Sequence, residues 1–224
     1  MVTVSKANNL VDDKSLNDSG VKYLPWVGEH YNAGFLGKRL LVLGESHYDK
    51  WEDEKHELGQ NITRECIQDV FKRDGAQFWR YLEQALLNQG RKDGWAPSGG
   101  EPLWNQFAFF NFVQSPVQGG PRVRPTWEQF IESRMPLRAV LEELQPERLL
   151  VCGKGLWGSM EEIPESDCLC DDIQAYRLNN DESVWCLATV HPSSGHYSWS
   201  KIHKLFVMFM INPAEASLYL KNGE

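Results

Sequence analysis

Two short polar tips, each following an apolar run, carry the side chains of this sequence best suited to chemistry. The first, Gly44-Glu45-Ser46-His47-Tyr48, follows Leu40-Leu41-Val42-Leu43, and the second, His191-Pro192-Ser193-Ser194-Gly195, follows the apolar run 184–190. A carboxylate where a strand ends, as at Glu45, can orient or deprotonate water. His191 precedes a proline, which biases it towards extended backbone and so holds the direction of its ring. From there the imidazole can donate to an oxygen that gains charge in a transition state. Asn111, after Phe109 and Phe110, offers a donor and an acceptor to the edge of a flat heterocycle. Each also has a plain structural reading: a solvent-facing loop acid, a histidine capping a loop backbone, an asparagine serving a turn.

The elements that must hold these groups follow from the apolar pattern. Runs 39–43, 107–113, 148–152 and 184–190 are nearly continuous rather than alternating, as in strands covered on both faces. Between them lie helical patterns: a stripe of Phe78, Leu82, Ala85 and Leu86; a longer segment with Phe130, Ile131, Val140, Leu141 and Leu144 ending before Pro146; and the largely apolar segment 201–210. Strand alternating with helix predicts an α/β fold, a three-layer α/β/α sandwich with a mostly parallel, four-stranded central sheet. In such a sheet ligands bind outside the carboxyl ends of the strands, so the two tips and Asn111 are expected to converge there. Residues 19–224 are read as one domain, with 1–18 loosely held and the Gly- and Pro-rich stretch 89–102 as a loop.

At 224 residues and 42% hydrophobic content the chain can bury one sizeable core. No apolar stretch reaches membrane-span length and the amino terminus is polar, so a cytoplasmic location is expected, with no membrane association. Five cysteines without a regular framework read as reduced thiols. The net charge of −8 argues against indiscriminate coating of nucleic acid. Charge is nevertheless uneven. Segment 161–182 is crowded with acids against a single Arg177, whereas 115–124 and 191–204 contain none and supply Arg122, Arg124, Lys201 and Lys204. An acidic chain with two cationic loops suits a localised phosphate contact.

In order and context these motifs resemble the uracil-DNA glycosylase superfamily, over most of the chain after Lys38. That superfamily carries a strand ending in a short Gly-containing motif, an internal Asn on the next strand and a His-Pro-Ser tip. In one branch the first motif reads Gly-Glu-Ala-Pro-Gly, its Glu helps to position water, and its Asn is followed by a loop with Pro, Gly, Arg and Pro-Thr. Here Asn111 is followed by Pro116, Gly119, Gly120, Arg122, Arg124, Pro125 and Thr126, and then by the glycine turn after Leu149-Leu150-Val151-Cys152. The resemblance implies hydrolysis of the N-glycosidic bond of a damaged or modified base in DNA, without metal or organic cofactor. Under it Glu45 orients water and His191 stabilises the departing base. Asn111, Tyr48, Phe78 and Ser46 bind the base, Tyr48 crowding a pyrimidine and Phe78 stacking on the ring. Arg122, Arg124, Ser193, Ser194 and Lys201 contact the DNA. Ser46 and His47 replace the usual motif residue and proline, and Ser194-Gly195 replace the usual wedge, for which His196, Tyr197 or Trp199 can substitute.

Other chemistries fit less of the pattern. Ser46 with His191 as base resembles half of a nucleophile elbow, but the final glycine is Tyr48. His191, His196, His203, Cys168 and Cys170 lack a compact metal-ligand spacing. Gly153-Lys154-Gly155 lacks the ending of a P-loop. A protein of this fold that binds nucleic acid, a nucleotide or a partner protein without cleavage is the alternative to a glycosylase.

Overall fold

The computed structural model describes residues 7–49, 58–90, 94–120, 123–161 and 167–222. In chain order its elements are α1 (Asp13–Asp18), β1 (Trp26–Val27), β2 (Leu40–Gly44), β3 (Tyr48–Asp49), α2 (Ile62–Phe71), α3 (Gln77–Leu87) and α4 (Glu101–Trp104). There follow β4 (Ala108–Asn111), β5 (Val117–Gln118), α5 (Trp127–Glu132), α6 (Arg134–Leu144), β6 (Arg148–Cys152) and α7 (Lys154–Trp157). The chain finishes with β7 (Cys168–Cys170), β8 (Ile173–Arg177), β9 (Ser183–Thr189), α8 (Trp199–Ile211) and α9 (Pro213–Lys221).

The four apolar runs form β4, β2, β6 and β9, adjacent in that order and all parallel. The expectation of a four-stranded sheet is corrected: among the described residues the sheet is mixed and seven-stranded, with β1 antiparallel to β4 on one side and, on the other, β8 antiparallel to β9 and β7 antiparallel to β8. A strand of two residues, β1, leaves no period to read. Within the acidic segment 161–182 the charges hide a strand: Ile173, Ala175 and Tyr176 of β8 are buried, while Arg177 faces out and pairs with Asp167 at 2.6 Å.

Why β2 is apolar at every position is clear from its two faces. Leu41 and Leu43 join the core on one face with Leu16 of α1, Phe130 of α5 and Leu137, Val140, Leu141 and Leu144 of α6. Leu40 and Val42 join the other with Ile67 and Val70 of α2, Leu82 and Leu86 of α3, and Phe206 and Phe209 of α8. Each such fully buried side chain contributes roughly 1.5–3 kcal/mol relative to exposure. His203 further ties α8 to α3, its Nδ1 donating to Ala85 O at 2.7 Å.

Two other expectations change. The long helical segment is broken into α5 and α6 at Ser133, whose hydroxyl donates to Gln129 O at 2.6 Å and accepts from Gln114 N at 3.1 Å. Pro136 is tolerated because it falls in the first turn of α6, where its missing N–H has no helical partner to lose. Residues 7–18, expected to be loose, are tied down. Asn8 exchanges two hydrogen bonds with Val27, Leu16 is buried, and Arg64 grips Asp13 with both terminal nitrogens at 2.6 and 2.7 Å. Among the described residues no helix is long and apolar enough to cross a membrane.

Candidate functional site at the carboxyl ends of the parallel strands

Gly44 and Asn111 are register partners at the ends of β2 and β4. A Cβ on Gly44 would collide with Asn111 Oδ1 and the Phe109 ring, so only glycine lets the asparagine side chain lie across the strand end. The pairing continues past β2: Phe112 N donates to Gly44 O, Val113 N to Glu45 O and Val117 N to His47 O, at 2.9 to 3.0 Å. This ladder pins the Glu-Ser-His segment in extended form and leads it into β3, where Tyr48 pairs with Val117. It also removes the nucleophile-elbow reading, which requires a sharp turn from strand into helix. Ser46 Oγ is buried without a hydrogen-bond partner among the described residues.

His47 turns into the protein. Its Nε2 lies 2.9 Å from Thr63 Oγ1 and 3.0 Å from Asn111 Nδ2, and Tyr23 packs edge-on at 5.4 Å. Asn111 Nδ2 can only donate, so Nε2 is the acceptor and the ring proton resides on Nδ1. Burial pushes the imidazole down to about 4, so it is neutral near pH 7. Asn111 is thereby held on two sides, its side-chain amide nitrogen by His47 and its backbone carbonyl by Gln114 Nε2 at 2.7 Å. It lies at the expected strand end, but it is only 5% exposed and its amide already donates to His47.

Glu45 and His191 share a second cluster. Arg124, expected to hold a phosphate, donates from Nη2 to Glu45 Oε2 at 3.0 Å, reaching there across the Phe130 ring. Its guanidinium lies so close to Gly155 that a Cβ there would clash, which gives the glycine turn after β6 its purpose. Burial pushes the Glu45 carboxyl above its ordinary value, with Arg124 pulling it back. His191 lies just past β9, its Nδ1 accepting from Ser193 N at 3.1 Å and its ring 5.3 Å from that of Phe78. With Nδ1 an acceptor, the neutral ring carries its proton on Nε2, which has no partner among the described residues. Burial, and then the charge of Arg124, push this imidazole down as well. Phe78 is held in turn by Trp79 and Phe109, at 4.8 and 6.0 Å.

The structure thus brings together Glu45, Arg124, His191 and Phe78, with Asn111 behind them on His47. The remaining expected site residues are placed less tightly. Ser194 builds its own turn, its N donating to His191 O at 2.8 Å and its Oγ accepting from His196 N, while Ser193 is exposed. Lys201 stands exposed in the first turn of α8 rather than in a loop; Lys204 lies over the Tyr219 ring at 4.7 Å. Tyr197, a candidate wedge, stacks on Tyr81 at 6.0 Å. Arg122 lies outside the described residues. Sequence reasoning missed the partnership of His47 with Thr63, because nothing in a helix 16 residues away marks a hydrogen-bond partner. It missed the ion pair of Glu45 as well, though the acid-free loop around Arg124 was its signal. No described group of three His, Cys, Asp or Glu side chains gathers as a metal site. No protein-family model matches the chain, and no curated protein matches it in sequence.

Proposed function

We propose that this protein is a glycosylase-like hydrolase that cleaves the N-glycosidic bond of a damaged or modified base in DNA. The observation that carries this reading is the cluster of Glu45, Arg124, His191 and Phe78 at the carboxyl ends of the parallel strands. An extruded base would lie against Phe78, and the unclaimed Nε2–H of His191 would donate to the base oxygen that gains charge as the C1′–N bond breaks. Ionised Glu45 would orient the water that adds to C1′ and accept the proton that water loses, the electron pair of the broken bond leaving with the base. Tyr48 and Ser46 would bound the base pocket, and Arg122, Ser193, Ser194 and Lys201 would lie along the flanking strand. The order of the parallel strands, β4-β2-β6-β9, with helices on both faces, supports a glycosylase-like sandwich. Five free thiols suit a reducing compartment, so the proposed setting is the cytoplasm.

Binding without cleavage is the second reading, favoured by one feature: the Glu45 carboxylate is tied to Arg124, and an amide hydrogen of Asn111 to His47. Single-turnover release from oligonucleotides carrying uracil, hypoxanthine, xanthine or hydroxymethylated pyrimidine separates the two. Release that is lost in Glu45→Gln supports hydrolysis. Tight binding to one of these oligonucleotides with no release from any supports the binder.

A further inference from the structure

Helix α3 presents Phe78 to His191 and, two residues on, a cation that no described side chain engages. Gln77, Arg80 and Tyr81 of this helix, with Gly94, line a recess of about 240 Å³. Among the described residues Arg80 makes no ion pair or hydrogen bond, and its Nε is buried without a partner. Every other described arginine is engaged: Arg39, Arg134 and Arg148 by backbone carbonyls, and Arg64, Arg73, Arg124, Arg138 and Arg177 by carboxylates.

The neighbours of Arg80 along the helix explain why it stays alone. Gln77, one turn before it, and Gln84, one turn after, are neutral, and Gln84 donates to Gly94 O at 3.3 Å. Glu83 is the acid at helical spacing, but its carboxylate turns away to Arg73 Nη1, Gly100 N and Trp104 Nε1, at 2.8 to 2.9 Å. No side chain caps the start of α3, so its positive end adds to the same field. A buried, unpaired N–H is costly, and an oxyanion laid along the guanidinium edge would satisfy it in a bidentate fork.

We propose that this recess is a phosphate-binding subsite, in which Arg80 forks the two non-bridging oxygens of a phosphodiester and Gln77 donates beside it. The inference rests on the reading of the strand-end cluster as a centre that handles a base in DNA. Its position fits a nucleotide flanking that base. Tyr81 is the link between recess and cluster: it lines the recess with Arg80 and, three residues on from Phe78, neighbours that ring on the helix surface. Tyr81 stacks on Tyr197, whose N–H donates to Ser194 O, and the Ser194 N–H in turn donates to His191 O.

Fluorescence anisotropy of a modified oligonucleotide across a salt series, for the full chain and for Arg80→Gln and Arg80→Lys, tests this. A second arm follows the Arg80 Nε–H by NMR during titration with inorganic phosphate. The subsite predicts that Arg80→Gln lowers the slope of log affinity against log salt by about 0.9 on a duplex or about 0.7 on a single strand. Arg80→Lys keeps the slope, since the charge remains, yet binds more weakly because the fork is lost. Oligonucleotide binding with an unaltered slope in Arg80→Gln overturns the subsite and leaves the proposed function standing. Absence of oligonucleotide binding overturns the proposed function. If phosphate still shifts the Arg80 resonance in that case, the recess holds a free phosphate rather than a strand; if it does not, the subsite falls too.

Discussion

Two histidines, at the ends of two strands of one sheet, have opposite fates. His47 is buried and its acceptor nitrogen is taken up by Thr63 and Asn111, whereas His191 is half-buried, braced by its own loop, with Nε2 unclaimed by any described residue. Both are held neutral by burial, His191 also by the charge of Arg124. What separates them is which ring nitrogen the described partners occupy. The ring of His47 is a strut that holds the side chain of Asn111; that of His191 keeps a donor free beside the Phe78 ring. A motif that reads as one catalytic string, Glu-Ser-His-Tyr, therefore divides, Glu45 belonging with His191 and His47 with the scaffold.

The largest expected effects test the side assigned to chemistry. Glu45→Gln keeps the size of the side chain but removes the carboxylate, and base release in single turnover should fall on the order of 100-fold to 10,000-fold, the range of general-base contributions. His191→Ala should lower it on the order of 100-fold, as when one preorganised donor is deleted. Neither should shift the thermal midpoint as far as His47→Ala, which strands Asn111 and Thr63 at a cost of about 1–3 kcal/mol. The comparison breaks if His47→Ala melts like the parent protein while His191→Ala melts early.

Acid sharpens the same contrast. His47 takes a proton near 6.5 when unfolded and near 4 when folded, so between these values the unfolded chain binds more protons. Its contribution to stability is complete above about 6.5 and is lost as the pH falls towards 4, amounting to about 3 kcal/mol. Denaturant melts of the parent and of His47→Gln between neutral pH and pH 4 should therefore converge on acidification. Parallel curves would show that His47 is not held neutral by the fold.

How much of this was legible in the sequence differs by element. Continuous apolar runs marked β2, β4, β6 and β9 because a parallel strand is covered on both faces, and that in turn located the strand-end cluster. Ile173, Ala175 and Tyr176 were hidden by the acids around them, because a strand near a sheet's margin buries only part of its side chains. Glu45, His191 and Phe78 were readable from their places after strands and at a helix start. The inward turn of His47 was not, because its direction is set by Thr63 and Tyr23, partners that no local pattern names. Arg80 was invisible for a related reason: an unpaired cation is defined by what its neighbours do, and Glu83 looks available until its carboxylate is seen on Arg73.

Arg124 is the hinge of the comparison, since it touches one member of the active cluster and charges the surroundings of the other. It draws the pKa of Glu45 down against burial and pushes that of His191 further down. Removing it in Arg124→Gln should raise both. If ionised Glu45 is the working form, release is retained at high pH and lost as pH falls through the Glu45 pKa, so the acid limb should move to higher pH in the variant. A pH profile of single-turnover release checks this. A limb that stays in place, or moves down, would mean that the ion pair does not set the protonation of Glu45.

The smallest effect expected lies on α8, outside the strand-end cluster. Lys201 stands exposed in the first turn of α8, beyond the His191 turn, with no partner among the described residues. If the flanking strand passes over it, Lys201→Gln should lower the slope of log affinity against log salt by about 0.9 on a duplex and leave the preference among bases unchanged. Lys204, one turn further on and lying over Tyr219, provides the internal control: Lys204→Gln should leave the slope alone. Equal slope changes in the two variants would mean that the field of the whole helix face, rather than a phosphate seated on one lysine, governs binding there. In that case the strand would have to leave the cluster by another route, over Arg80 of α3, where the salt dependence of the Arg80 variants would register it.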